Sequence, residues 1–210
     1  MDAFYINPFL EISRQDCPPA LKQDITSALS IKIYECHMTT KDIALTIAQS
    51  DDDYVMIRRE LCKTLSLHSD HLTDFAFILS ELRDILKSKK QTLPSLLPAM
   101  DLVIDQIQEF ALYADRMSEH LEYTIARKDT DRFLVERDHR RSEINVRSVS
   151  DKIALVDPIL NQAADLLFGK TLNQICDHIS AKNWDYYLVE TSPRYVIMRT
   201  VLKMKQAQVA

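Results

Sequence analysis

One glycine, Gly169, stands among 210 residues. Backbone that closely approaches a phosphate or takes a positive φ is usually built with glycine. Its scarcity counts against phosphate-cradling loops, dinucleotide fingerprints and nucleophile elbows. Tight type I′ hairpin turns lose their usual residue as well, which argues against a sandwich or barrel. No long uninterrupted apolar run is present, so no transmembrane helix is expected. The opening stretch "MDAFYINPFLEI" lacks the basic n-region and apolar core of a secretory signal. Cys17, Cys36, Cys62 and Cys176 are widely spaced and form no Cys-x-x-Cys pair. The expectation is free thiols in a reducing cytoplasm, each acting as a small buried hydrophobe.

What is present favours helices. Hydrophobic residues make up 46% and charged residues 27%, with a net charge of −5, ordinary values for a soluble chain. A chain of this length buries about 70% of its unfolded surface and needs no disulfide or metal staple. Abundant Leu, Ile, Ala, Lys and Glu beside scarce glycine give high helix propensity. The expected fold is mainly α, an antiparallel bundle of long helices with a small C-terminal α+β appendix. Residues 1–19 read as an N-terminal arm, 20–168 as the bundle, and 169–210 as a small helix and hairpin segment.

Along the chain, Leu21, Ile25 and Leu29 repeat at helical spacing from about Ala20 to His37. "MTTKD" then offers Thr39 as an N-cap with Asp42 three residues on, predicting a separate short helix to about Gln49. "SDDD" at 50–53 is a second start signal. Behind it comes the clearest pattern in the sequence. Tyr54, Ile57, Leu61, Leu65, His68, Leu72, Phe75, Leu79, Leu82 and Leu86 step by three or four, the α-helical period. His68 is the polar interruption of that seam, and "SLHSDH" at 66–71 predicts a kink or break.

"KSKKQTLPSLLP" at 87–98 reads as a linker. A helix follows from Pro98 to about Ala126 on the seam Ile104, Ile107, Ala111, Ala114, Ser118, Leu121 and Ile125. Small residues in mid-seam would let a neighbour approach closely. A third long helix is expected over 131–156, on Val135, His139, Ser142, Val146, Val149, Ile153 and Val156. Asp157-Pro158 would end it and cap a helix that closes at Gly169. After a short helix in "TLNQICDHISAKN", the stretch "WDYYLVETSPRYVIMRTVLKMK" has a β composition. It reads as a hairpin turning at Ser192-Pro193, with a final helix capped by Ser192 as the competing reading.

The candidate chemistry is thin. Glu136 and His139 in "ERDHRRSE" form one Glu-x-x-His pair, whereas a carboxylate-bridged di-metal bundle needs two, with further glutamates. Glu136 with Arg140 and Glu143 with Arg147 read better as i,i+4 pairs on a wet helix face. His68, His71 and Asp74 share one side of the long helix and make the other weak metal candidate. Cys36-His37 and Cys176-Asp177-His178 are sequence neighbours, which diverge by about 100° on a helix. No catalytic residue and no cofactor is expected. Residues 192–210 carry Arg194, Arg199, Lys203 and Lys205 and no acid.

These features point to a non-catalytic helical protein–protein interaction subunit: an adaptor, a chaperone-like protein or an assembly or secretion-machinery accessory. The expected contact residues are Trp184, Tyr186, Tyr187, Arg194, Tyr195, Arg199, Lys203 and Lys205. The complement of that basic tail is a partner with an acidic surface, and self-association stays open. One alternative is a metal-binding regulator or enzyme using the His/Asp cluster. The other is a winged-helix-like nucleic-acid binder using the basic tail, though the helix before the hairpin is too acidic for a DNA groove. Nucleic acid is therefore not the expected partner.

Overall fold

The computed structural model describes residues 19–49, 54–88, 95–127 and 149–181. These form five helices packed as a bundle, and among the described residues there is no strand. Helix α1 spans Pro19–Ala48, α2 Tyr54–Ser88, α3 Leu96–Arg127, α4 Val156–Phe168 and α5 Leu172–Ala181. Residues 149–153 are also helical and reach α4 through a turn at 154–155. No helix among the described residues is long and apolar enough to cross a membrane.

The 3.6-residue pattern of α2 does what its spacing predicts. Leu61, Leu65, His68, Leu72, Phe75, Leu79, Leu82 and Leu86 are all buried. The helix runs unbroken for 35 residues through the expected break at 66–71, roughly 50 Å at about 1.5 Å per residue. The α3 seam is buried as well, from Ile104 to Leu121. Its small residues allow close approach to α2. Ser69 Oγ donates to the Ala111 carbonyl at 2.9 Å, and Ser118 Oγ to the Cys62 carbonyl at 3.0 Å. These pairs, with Arg83 on Asp101, run in opposite chain directions, so α2 and α3 are antiparallel.

The expected helix boundary near Thr39 does not exist, because α1 continues through it. Thr39 Oγ1 lies 3.0 Å from the Glu35 and Cys36 carbonyls, and Thr40 Oγ1 2.8 Å from the Cys36 carbonyl. Hydroxyls that bond back to the preceding turn sit inside a helix at little cost. Both threonines are buried, so packing against α2 overrides the local start signal. Similarly, α3 begins at Leu96 rather than Pro98. Proline is tolerated in a first turn because its missing N–H would have no helical partner there.

Asp157 is not the cap of α4. The helix begins at Val156, with Leu155 as N-cap and no side-chain capping bond. Asp157 lies in the first turn instead, where its carboxylate accepts from His37 Nδ1 of α1 at 2.8 Å. Gly169 behaves as expected: φ is 61°, and its N–H closes the helix on the Asp165 carbonyl at 2.8 Å. A capping box then starts α5. Thr171 Oγ1 accepts from the Gln174 N–H at 3.3 Å, and Gln174 Oε1 accepts from the Thr171 N–H at 3.0 Å.

The main core joins all five helices around Leu29, Ile33, Phe75, Met100, Ile107 and Leu160, with Leu172, Ile175 and Ile179 brought in by α5. A smaller core at the other end holds Ile43, Leu61, Leu65, Ala114 and Leu121 against Val149 and Ile153. Val149, Ile153 and Val156 are buried as expected, but they do not share one helix: the chain turns at 154–155 and Val156 opens α4. Most of the expected third long helix, with Glu136, His139 and their arginine pairs, lies outside the described residues. So does the C-terminal stretch read as a hairpin.

Candidate functional site

Two places combine polar chemistry with defined geometry. The first is a buried polar cluster between α1 and α2. The two turns of α1 from Lys32 to Thr39 face the two turns of α2 from His68 to Asp74, because the two antiparallel helices bring these polar positions together. Lys32 is 4% exposed and its Nζ lies 2.7 Å from Glu35 and 3.4 Å from Asp74. A buried ammonium must be paired to remain charged, and here two carboxylates share it.

His68 is fully buried, with Nδ1 2.7 Å from Thr39 Oγ1. Thr39 has one proton and two backbone carbonyls within reach, so the consistent arrangement has Nδ1–H donating to the hydroxyl. Nε2 then carries a lone pair facing the core and has no hydrogen-bond partner. Burial, together with the neighbouring His71, lowers the His68 pKa to about 4. His71 is also lowered, by burial first, against the upward pull of Glu35 and with Lys32 adding to the lowering.

A general base works best with a pKa near the working pH, and His68 is held far below that range. Burial pushes the Cys36 thiol well above its ordinary value and the Cys176 thiol up to about 11, so neither supplies thiolate at neutral pH. His68, His71 and Asp74 do lie along one side of α2, as their spacing predicts. In the fold His68 bonds Thr39 through Nδ1 and Asp74 pairs with Lys32. Among the described residues, no group of three His, Cys, Asp or Glu side chains is placed to hold a metal. The arrangement ties α1 to α2 through buried polar contacts.

The second place is a groove on the outer side of the α2–α3 pair, about 450 Å³ in volume. Ala76 and Ala111 line it, and Phe77 and Leu112 stand at its sides, 42% and 57% exposed. Ser69, Thr73, Ser80, Gln108 and Asp115 complete the lining. At one end Arg83 bridges the helices, 2.7 Å from Asp101 and 2.9 Å from Asp84, and these hydrogen bonds raise its pKa. Sequence reading missed this groove. Its signal was present in the positions next to the buried seams, where Phe77 and Leu112 are too large and apolar for a purely solvated face.

Trp184, Tyr186, Tyr187, Arg194, Tyr195, Arg199, Lys203 and Lys205, the expected contact residues, lie outside the described residues, as do Glu136 and His139. No protein-family model, curated protein or solved structure matches the chain.

Proposed function

We propose that this protein is a non-catalytic helical subunit that works by binding protein partners, as an adaptor, chaperone-like or assembly accessory. The observation that carries the reading is the pairing of Phe77 and Leu112 beside one groove, exposed on helices whose opposite faces already fill the core. Large apolar side chains grouped at a concave surface favour a macromolecular contact. The chemistry of the buried cluster supports the same reading, since its histidines, thiols and lysine are desolvated or paired rather than poised to react. Cys36, Cys62 and Cys176 are free thiols, which suits a reducing compartment such as the cytoplasm.

The basic aromatic tail is the second contact surface of this reading, with Trp184, Tyr186, Tyr187, Arg194, Tyr195, Arg199, Lys203 and Lys205 meeting an acidic partner surface. The test compares the full chain with one ending at residue 183, by circular dichroism and by capture of partner from native lysate. The expected result is helix content nearly retained and partner lost. Capture that survives the deletion would remove the tail from the binding surface.

A further inference from the structure

The face around the α2–α3 groove is predominantly acidic. Residues 64–82 of α2 and 96–115 of α3 contain no lysine or arginine. Asp70, Asp105 and Asp115 stand exposed along these stretches, with Glu81 partly exposed. The surrounding bases are largely engaged or peripheral. Arg83 is held between Asp84 and Asp101 at one end and Lys63 is near Glu60 at the other, while Arg116 is exposed on the face of Leu112, next to Asp115. Lys32 reaches Asp74 from α1, on the inner side of α2.

The outward positions form two regular rows. On α3 they are Asp101, Asp105, Gln108, Leu112, Asp115 and Glu119, stepping four, three, four, three and four. On α2 they are Ser66, Asp70, Thr73, Phe77, Ser80 and Asp84, with the same rhythm. Each row has one large apolar residue at its centre and carboxylates about two turns or less away. A ligand that suits both rows has apolar groups along a central line and cations flanking it, repeated at helical intervals.

We propose that the α2–α3 groove is a docking site for a basic amphipathic helix of a partner protein. The apolar side chains of that helix rest on Phe77, Ala76, Ala111 and Leu112, and its lysines or arginines face Asp70, Asp105 and Asp115. Charge complementarity selects this occupant, because an acidic or neutral helix would leave the carboxylates facing one another without counter-charge. The inference rests on the partner-binding reading and gives that reading a surface and a partner class.

The probe is a labelled synthetic peptide of leucine and lysine arranged with helical period. Its controls are the same composition scrambled and the same pattern with glutamate for lysine. Each is titrated into the purified full chain by fluorescence anisotropy. The amphipathic basic peptide is expected to bind about tenfold more tightly than either control. Phe77→Ser and Leu112→Ser should each weaken it about fivefold, whereas Leu45→Ser, at an exposed leucine of α1, should leave it unchanged.

Equal binding of the scrambled peptide, or indifference to both groove substitutions, overturns the assignment. Two other occupants would overturn it too. If sedimentation shows a dimer that Leu112→Ser dissociates, the groove belongs to a second copy. If Arg199→Glu with Lys203→Glu tightens peptide binding, the chain's own tail competes for the groove. Any of these results removes the partner-helix assignment and takes the groove out of the partner-binding reading, whereas the reading as a whole fails if the native chain has no protein partner.

Discussion

Thr39 Oγ1 on α1 lies 2.7 Å from Nδ1 of His68 on α2, and this bond joins two residues that local sequence cues would have placed at helix breaks. The pair lies inside two continuous helices and links them through buried polar atoms. Its burial also sets an expectation for the response to acid.

The ordinary imidazole pKa is 6.5, and burial takes that of His68 to about 4 in the fold. Between those values the unfolded chain holds a proton that the folded chain refuses. The contribution to stability is therefore full above pH 6.5, is lost progressively as the pH falls to about 4, and changes no further below. The whole loss is about 3 kcal/mol. His71 is shifted in the same direction and adds to the trend. His68→Phe should reduce the stability difference between pH 7 and pH 5 by about 2 kcal/mol, measured by urea unfolding. An unchanged pH slope would place the titration elsewhere.

Lys32 is shared by Glu35 and Asp74 at a buried position. Lys32→Met keeps much of the side-chain volume but leaves two largely buried carboxylates without their common cation. The expected cost is about 3 kcal/mol at neutral pH. Chemical denaturation at pH 7 checks it, and a variant as stable as the parent would show that the cation contributes nothing.

The thiols should differ in reactivity through burial alone. In a Cys17→Ser, Cys62→Ser chain, Cys36 should resist a disulfide reagent until denaturant is added. Cys176, with its pKa at about 11 against the ordinary 9.0, should react roughly a hundredfold more slowly at pH 8 than a free thiol. Rapid reaction of Cys36 in the folded chain would contradict its burial.

Gly169 tests the cap between α4 and α5. Its φ of 61° is unfavourable for residues with a Cβ, yet an added Cβ would meet no atom within 4 Å. Gly169→Ala should therefore cost about 1 kcal/mol, all of it conformational, and Gly169→Asn less. Equal midpoints for the three proteins in urea would show that the left-handed turn is not maintained.

The periodic parts of this fold were legible in the sequence because a helix seam is a local property. Leu61 to Leu86 on α2 and Ile104 to Leu121 on α3 could be read position by position, and each stands buried. Helix boundaries depended on partners. Thr39 looks like a cap until His68 and the α2 face are present, and Asp157 looks like one until His37 engages it. Thr171 and Gln174 did match the capping-box pattern and could have been read from their spacing. The candidate site was less legible, because the groove depends on which outward rows of α2 and α3 lie side by side. That follows from the register of two helices and is absent from either alone. Spacing on α2 likewise says nothing of the Lys32 and Thr39 that meet Asp74 and His68.

The most direct test of the account is the mass and metal content of the native protein, isolated under mild conditions from its own host through a small tag. Native mass spectrometry and elemental analysis are run on the same sample. The account predicts a stoichiometric protein partner and no stoichiometric metal, with the partner lost from the chain ending at residue 183. A lone monomer carrying one equivalent of metal would contradict it, and would return attention to His68, His71, Asp74, Glu136 and His139.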